Sequence, residues 1–425
     1  MNLLLLGSGG REHAIAWKLA KSPRCSKLFI APGNAGTSEC GTNVNISPTD
    51  FDAIKKFCSQ ENIEMVIVGP EEPLVMGIVD SFREDSNVNH IPVVGPSKDG
   101  ARLEGSKAFA KSFMVRHNIP TAGYREFDNT NYQEGIPYLQ NHPIPIVLKA
   151  DGLAAGKGVV ICHSYVEAMS EYELMIQQSK FGEASKKVVI EEFLDGIEMS
   201  VFVLTDGDSH IVLPPAKDYK RIKDGDKGPN TGGMGAVSPV PFADEEFMKK
   251  VNERIILPTV NGLKKDKIDY TGVIFIGIIK VREDPFVIEY NCRLGDPETE
   301  VVIPRLKTDL VELFLATANR KLSTIKLEED LRVACTVMAV SAGYPATYEK
   351  GFPISGLDFK VPGTMIFHAG TIEKEGEVVT NGGRVFCVTA FGESVDEAVS
   401  SAVDVMGEIE FDGMFYRKDI GWEFR

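Results

Sequence analysis

Glu289-Tyr290-Asn291-Cys292-Arg293-Leu294-Gly295-Asp296-Pro297-Glu298-Thr299-Glu300 follows directly on the apolar run Phe286-Val287-Ile288. The run predicts a strand. Residues two apart on a strand share a face, so Glu289 and Asn291 would present two oxygen ligands side by side. A carboxylate beside an amide oxygen suits a hard cation such as Mg²⁺, with waters and nucleotide phosphates completing its shell. Arg293, Asp296, Glu298 and Glu300 are expected in the loop that follows, where binding residues are usually held. A polar turn after an edge strand would carry the same residues, so this short pattern gains weight only from its company.

Company comes from Pro145-Ile146-Val147-Leu148-Lys149-Ala150 and Val159-Val160-Ile161-Cys162, which read as two strands around Asp151-Gly152-Leu153-Ala154-Ala155-Gly156-Lys157-Gly158. Gly152, Gly156 and Gly158 let backbone N–H groups close on an anion, and Lys149 and Lys157 flank the same space. The spacing is not that of a Walker A loop, and a strand rather than a helix follows. The segment is expected to form a mobile hairpin flap over phosphates; an ordinary glycine-containing hairpin would share its composition. Val188-Val189-Ile190-Glu191-Glu192-Phe193-Leu194 then runs into a connector whose backbone could meet an adenine edge, with Glu198 placed to accept from ribose hydroxyls.

A strand lysine, a Gly-rich flap, a Glu-Glu-Phe-Leu connector and a distal Glu-x-Asn strand, in that order, resemble the ATP-grasp superfamily. Within it the chain is similar to the glycinamide ribonucleotide synthetase family. The similarity lies in Leu3 to His13 with its Gly7-Ser8-Gly9-Gly10-Arg11-Glu12 turn, Ala31-Pro32-Gly33-Asn34, Val68-Gly69-Pro70-Glu71 and Leu103-Glu104-Gly105-Ser106-Lys107. It continues in Gly228 to Gly235, Arg293 to Glu298 and Arg417-Lys418-Asp419-Ile420-Gly421-Trp422, and so spans essentially the whole chain. The resemblance implies ATP with Mg²⁺ or Mn²⁺ as cofactors, and glycine and 5-phosphoribosylamine as substrates. It also implies a monomer in transient contact with an upstream amidotransferase. By position it implies Lys157, Arg293 and Asp296 as catalytic, and Glu289 and Asn291 as metal ligands. ATP would be bound by Lys107, Lys149, Gly152, Gly156, Lys157, Gly158, Glu191, Glu192, Phe193, Leu194 and Glu198. Substrate would be bound by Gly9, Gly10, Arg11, Glu12, Gly33, Asn34, Pro70, Glu71, Asp218, Lys220, Gly232, Gly233, Met234 and Arg293. Two departures stand out: Leu294 where the family usually has Phe, and Lys217 where Gln usually precedes Asp218. Lys217 is expected to add a cation near the substrate site.

The 425 residues suffice for two to four domains, and 43% hydrophobic with 25% charged residues is ordinary for a globular protein. A formal net charge of −15 argues against nucleic-acid binding, which needs a basic footprint. Local lysines and glycine-loop amides can still attract a small anion. The seven cysteines are scattered without a C-x-x-C pair, which points to reduced thiols rather than disulfides or zinc. Cys292 raises the question of a catalytic thiol, but alternation aims it away from Glu289 and Asn291. With no signal peptide or spanning apolar stretch, a cytoplasmic protein with no membrane partner is expected.

The fold class expected is α/β. Residues 1–103 would form a parallel-sheet domain for substrate phosphate, with strands at 2–6, 28–30, 65–68 and 92–94. Residues 104–328 would be the ATP-grasp domain, with a flap subdomain at about 121–190 and a helix entered by Ser106; residues 329–425 would be a small C-terminal α+β domain. Ligands of such parallel sheets collect at the strands' carboxyl ends, here Gly9-Gly10-Arg11-Glu12, Pro32-Gly33-Asn34 and Gly69-Pro70-Glu71. A dinucleotide-binding reading fails, because Glu12 occupies the third glycine position and no acidic residue ends the second strand. An anion at the first helix N-terminus fits better and suits a ribose 5-phosphate. His13 reads as structural. The glycine-rich stretch from Asp218 to Gly235 is expected to be a substrate loop. Three functions stay open on these residues: an ATP-dependent ligase acting through an acyl phosphate, an ATP-grasp carboxylase or other amine ligase, and a nucleotide-binding regulator. Retention of Glu289, Asn291 and the flap lysine disfavours the last.

Overall fold

The computed structural model describes residues 1–153 and 158–425. Its first sheet consists of β1 (Asn2–Gly7), β2 (Lys27–Pro32), β3 (Thr42–Asn43), β4 (Met65–Val68) and β5 (Val93–Val94), all parallel in the order β3-β2-β1-β4-β5. Leu3 to Leu6 are fully buried, as an unbroken apolar run in a central parallel strand must be. The four expected strands are present. β3 is additional; its two residues are exposed and leave no apolar pattern to read. Helix α1 (Gly10–Leu19) starts at the carboxyl end of β1 and brings its N-terminus to the sheet's ligand-facing edge.

The second sheet has eight antiparallel strands, in the order Asp284–Asn291, Gly272–Val281, Ile197–Thr205, His210–Asp218, Gly235–Ser238, Val333–Val340, Arg384–Gly392 and Thr364–His368. Gly235–Ser238 pairs with Val333–Val340, so one sheet crosses the expected boundary at residue 329 without a break. Helix Val395–Met406 covers its far end, burying Val395, Ala398, Val399, Ala402, Val405 and Met406. Ser394 caps that helix by accepting from Glu397 N. The Glu397 carboxylate reaches back to Glu393 N, one residue earlier than a capping box would have it.

A third sheet, in the order Tyr124–Asp128, Lys187–Glu192, Ile146–Ala150 and Val159–Cys162, is antiparallel throughout. Two helices, Tyr132–Gln140 and Tyr165–Ile176, bury Leu139, Ala168, Tyr172, Met175 and Ile176 against it. Helix Lys107–Arg116 connects this sheet to the first, with the Ser106 hydroxyl accepting from Phe109 N at 3.1 Å. Among the described residues no helix is long and apolar enough to cross a membrane.

Candidate active site

Strand Asp284–Asn291 is the edge of the large sheet; a bulge at Ile288, where its register on Gly272–Val281 shifts, lets Val287 and Tyr290 both be buried, while Glu289 and Asn291, two apart beyond the bulge, stay half-buried on the face opposite Tyr290. Tyr290 shares a hydrogen bond with Thr259 in the core, which fixes the facing of its neighbours. Glu289 packs over Gly277, where a Cβ would lie 3.2 Å from its Cγ. Its charge acts on both Lys107 and Lys220. Among the described residues no group of three or more His, Cys, Asp or Glu side chains is poised around one point. The donor set is therefore a carboxylate and an amide oxygen, few and hard, which fits a Mg²⁺ ion that keeps waters and phosphates as its other ligands.

Three lysines from three elements converge beside this strand. Lys149 Nζ donates to Ile288 O at 3.1 Å and pairs with Glu191 Oε2 at 3.0 Å. Lys107, at the start of its helix, donates to Gly152 O at 3.3 Å, and Asp151 fastens the same turn by accepting from Ala108 N and the Ser106 hydroxyl. Burial and the nearby Lys149 charge hold the Lys107 ammonium below its usual range, against the pull of Glu289. Lys220 Nζ lies 3.0 Å from Glu198 and 3.3 Å from Asp218. Burial alone would lower its pKa; Asp218, Glu198 and Glu289 together raise it well above the ordinary value. Lys220 in turn holds the Glu198 carboxyl below its usual range.

In the connector, Glu191 is buried and faces inward, bridging Lys149 and Lys111 at 3.0 Å each. Glu192 accepts from Gly123 N at 2.8 Å, Phe193 is exposed, and Leu194 is half-buried. Gly158 is buried, its carbonyl accepting from Ala150 N at 2.8 Å. Gly156 and Lys157, expected in the flap, lie outside the described residues.

A second group gathers where the N-terminal sheet meets the large one. Arg293 bridges Glu71 at 3.2 Å and Glu104 at 3.1 Å. Pro70 caps the short helix that begins with Glu71. Burial would raise the Glu71 pKa, but Arg293 and Arg11 hold it below the usual range. Asp296 pairs with Arg384 at 2.9 Å and sits against Gly9, where a Cβ would be 3.2 Å from its carboxylate. Glu12 is buried with both oxygens engaged, by Gly9 N at 2.6 Å and by Arg11 Nε at 2.5 Å. Asn34 is likewise saturated: its amide NH₂ donates to Ser8 O and His368 O, and its oxygen accepts from Gly36 N and Thr37 N. Gly33, with φ +75°, makes the turn that precedes it. These two side chains build the ligand-facing edge and do not project from it. Gly232 N donates to the Tyr344 hydroxyl, Gly233 takes φ +121° against Pro297, and Met234 is core.

Three features escaped the sequence. Glu300 lies in the buried first turn of helix Thr299–Arg305 and not in a loop; it presses on Gly10, and among the described residues neither carboxylate oxygen has a partner. Glu298 accepts from the Ser200 hydroxyl at 2.8 Å, and burial with the Asp218 charge pushes it up to about 7. Lys217 turns away from Asp218 and Lys220, its Nζ pairing with Glu423 at 2.8 Å, while its charge still acts on Glu198. Cys292 is buried on Glu104, its Sγ donating at 3.1 Å, and burial with that carboxylate pushes the thiol well up. His13 is structural, its Nδ1 accepting from His368 N at 2.8 Å.

Sequence comparison matches three family models in order along the chain. The family models described as "Phosphoribosylglycinamide synthetase" match it with the N domain at residues 1–104, the ATP-grasp (A) domain at 105–299 and the C domain at 334–423. A protein of Haemophilus influenzae named phosphoribosylamine–glycine ligase is 48% identical over 426 residues, covering 99% of this chain and 98% of its own. The crystal structure of phosphoribosylamine–glycine ligase from Thermotoga maritima superimposes with a TM-score of 0.85 at 36% identity, covering 99% of this chain and all of that one. The biotin carboxylase domain of Hydrogenobacter thermophilus 2-oxoglutarate carboxylase, solved with MgADP and bicarbonate, shares the fold at a TM-score of 0.72 and 16% identity, covering 98% and 91%. With its three domain models in order and a full-length relative at this identity, the chain belongs to the phosphoribosylglycinamide synthetase family.

Proposed function

We propose that the protein is an ADP-forming ligase that joins glycine to 5-phospho-D-ribosylamine, giving glycinamide ribonucleotide, ADP and phosphate in purine biosynthesis. The observation that carries this reading is the gathering of Lys107, Lys149 and Lys220 where the third sheet meets strand Asp284–Asn291: Lys149 donates to Ile288 O, Lys220 pairs with Glu198 and Asp218, and the Glu289 charge acts on Lys107 and Lys220. The family and the names of its full-length relatives supply the substrates.

A free carboxylate is a poor electrophile, so glycine must be activated before an amine can attack it. The three lysines place positive charge where a phosphoryl group would pass, which stabilises transfer from ATP to the glycine carboxylate. Glu289 and Asn291 would hold Mg²⁺, which supplies charge neutralisation to the polyphosphate when bound. Transfer forms a bond from the glycine oxygen to the γ-phosphorus and breaks the bond to the β-phosphate oxygen. The amine then forms the C–N bond, the acyl C–O bond breaks, phosphate leaves and the nitrogen gives up a proton. The N-terminus of α1, with the Arg11 charge behind it, would receive the ribose 5-phosphate. Asp296, packed on Gly9 at that end, and Arg293, held by Glu71 and Glu104, would orient the reacting amine. No enzyme nucleophile is required, in keeping with the burial of Cys292.

ADP release with glycine and phosphoribosylamine present, each omitted in turn, tests the assignment; release that depends on bicarbonate in place of glycine would mark a carboxylase instead. The glycyl phosphate step has its own test. Heavy oxygen in the glycine carboxylate should appear in the released phosphate, and AMP should not form.

A further inference from the structure

We propose that the segment Arg417–Glu423 is a positioning device for the substrate strand, gripping Lys217 and Tyr219 from behind and so aiming Asp218 and Lys220 at the reacting groups. The inference rests on the ligase reading only for what Asp218 and Lys220 touch. The grip itself is a matter of strand geometry.

Strand His210–Asp218 continues in extended pairing past its last residue: Tyr219 N donates to Gly235 O at 3.0 Å, and Met234 N to Tyr219 O at 2.7 Å. Side chains therefore alternate. Asp218 and Lys220 meet each other and Glu198 on one face. Lys217 and Tyr219 turn to the other, and both end on a single carboxylate. Glu423 Oε1 lies 2.8 Å from Lys217 Nζ, and its Oε2 accepts from the Tyr219 hydroxyl at 2.7 Å. Lys217 also stands over the Tyr219 ring at 4.1 Å.

The same segment holds the hairpin that follows. Arg417 is fully buried, donates to Arg221 O at 3.1 Å, and pairs with Asp226 at 2.7 Å and Asp419 at 2.8 Å. Asp419 accepts from Gly225 N at 2.7 Å, and Trp422 Nε1 donates to Asp226 at 3.1 Å. Buried ion networks add little net stability, because desolvation offsets their attraction; their better-attested use is to fix register. Here the register being fixed is that of two substrate residues, one of whose charged neighbours is Glu289. Small displacements of such groups cost turnover steeply.

The test uses the full-length protein with Tyr219→Phe, Glu423→Gln and the two combined. The KM for glycine or for phosphoribosylamine should rise at least about fivefold in each single variant, while the KM for ATP stays within about twofold. Tyr219→Phe removes the hydrogen bond and Glu423→Gln the charge that holds Lys217, so the double variant should be worse than either single one but by less than the product of the two effects, since both act on one carboxylate. Hydrogen exchange across residues 218–231 should quicken in all three. Unchanged exchange overturns the proposal, and so does a uniform rise of all three KM values with a matching fall in melting temperature, which would mark a merely structural role. If Glu423→Gln does not fold, Tyr219→Phe carries the test alone. The exchange measurement needs no substrate, so it reads the grip even if the wild type fails to release ADP with glycine and phosphoribosylamine, a result that would strike the ligase reading alone.

Discussion

Replacing Glu300 by Gln should change how stability depends on pH, and the size of the effect follows from where the side chain sits. Glu300 is fully buried against Gly10 of α1, and neither of its oxygens has a hydrogen-bond partner among the described residues. Burial and the Asp296 charge raise its pKa well above the ordinary 4.5, and the Arg384 and Arg11 charges only partly offset this. The folded protein therefore keeps a proton that the unfolded chain releases above that ordinary value. The folded state binds more protons, so stability falls as pH rises until the folded pKa is passed. One proton is worth about 1.4 kcal/mol per pH unit, so above about pH 5 the wild type should lose stability relative to the variant with a slope approaching that value until the folded pKa is reached. Gln brings an unpartnered NH₂ group of its own, so the difference in slope is the diagnostic quantity and the offset is not. Urea unfolding of both proteins at half-unit steps from pH 5 to pH 8 would measure it. Parallel curves would refute the reasoning, and would mean that Glu300 is ionised or finds a partner.

Three further outcomes are expected. Glu289→Gln should lower turnover about a hundredfold at limiting Mg²⁺, the scale of losing one charge-stabilising group, with the melting temperature kept; normal turnover there would remove Glu289 from the metal site. Lys149→Met should raise the KM for ATP about tenfold, or about 1.4 kcal/mol, and the fold should hold because Lys111 still neutralises Glu191 at 3.0 Å; an unchanged KM would leave Lys149 a structural partner only. Cys292 should resist iodoacetamide at pH 8 in the native protein, since burial and Glu104 suppress its thiolate. Mass spectrometry showing rapid alkylation that tracks lost activity would reopen a covalent mechanism.

What the sequence reveals here depends on whether a pattern is local. The parallel sheet is readable because β1, β2 and β4 are apolar runs buried on both faces, and the Glu-x-Asn pair because alternation along one strand needs no knowledge of its neighbours. Lys217 could have been placed by the same rule. It is adjacent to Asp218 on a strand, so it must face the other way, and its charge acts on Glu198 without its ammonium joining Asp218 and Lys220. Its partner Glu423 lies some two hundred residues along the chain, and no periodicity announces it. Glu12 and Asn34 show the same limit from the other side. They lie beyond the carboxyl ends of strands, as expected, yet their hydrogen-bonding capacity is consumed in building that edge. Glu300 is the hardest case. A carboxylate in a polar dodecapeptide gives every reason to expect solvent, and only the packing of α1 across the first turn of helix Thr299–Arg305 excludes it. A charged residue buried without a partner costs stability that local propensity cannot explain. Its place beside Asp296 and Gly10, where the N-terminal sheet meets the large one, is therefore where constraints other than local ones act on the chain.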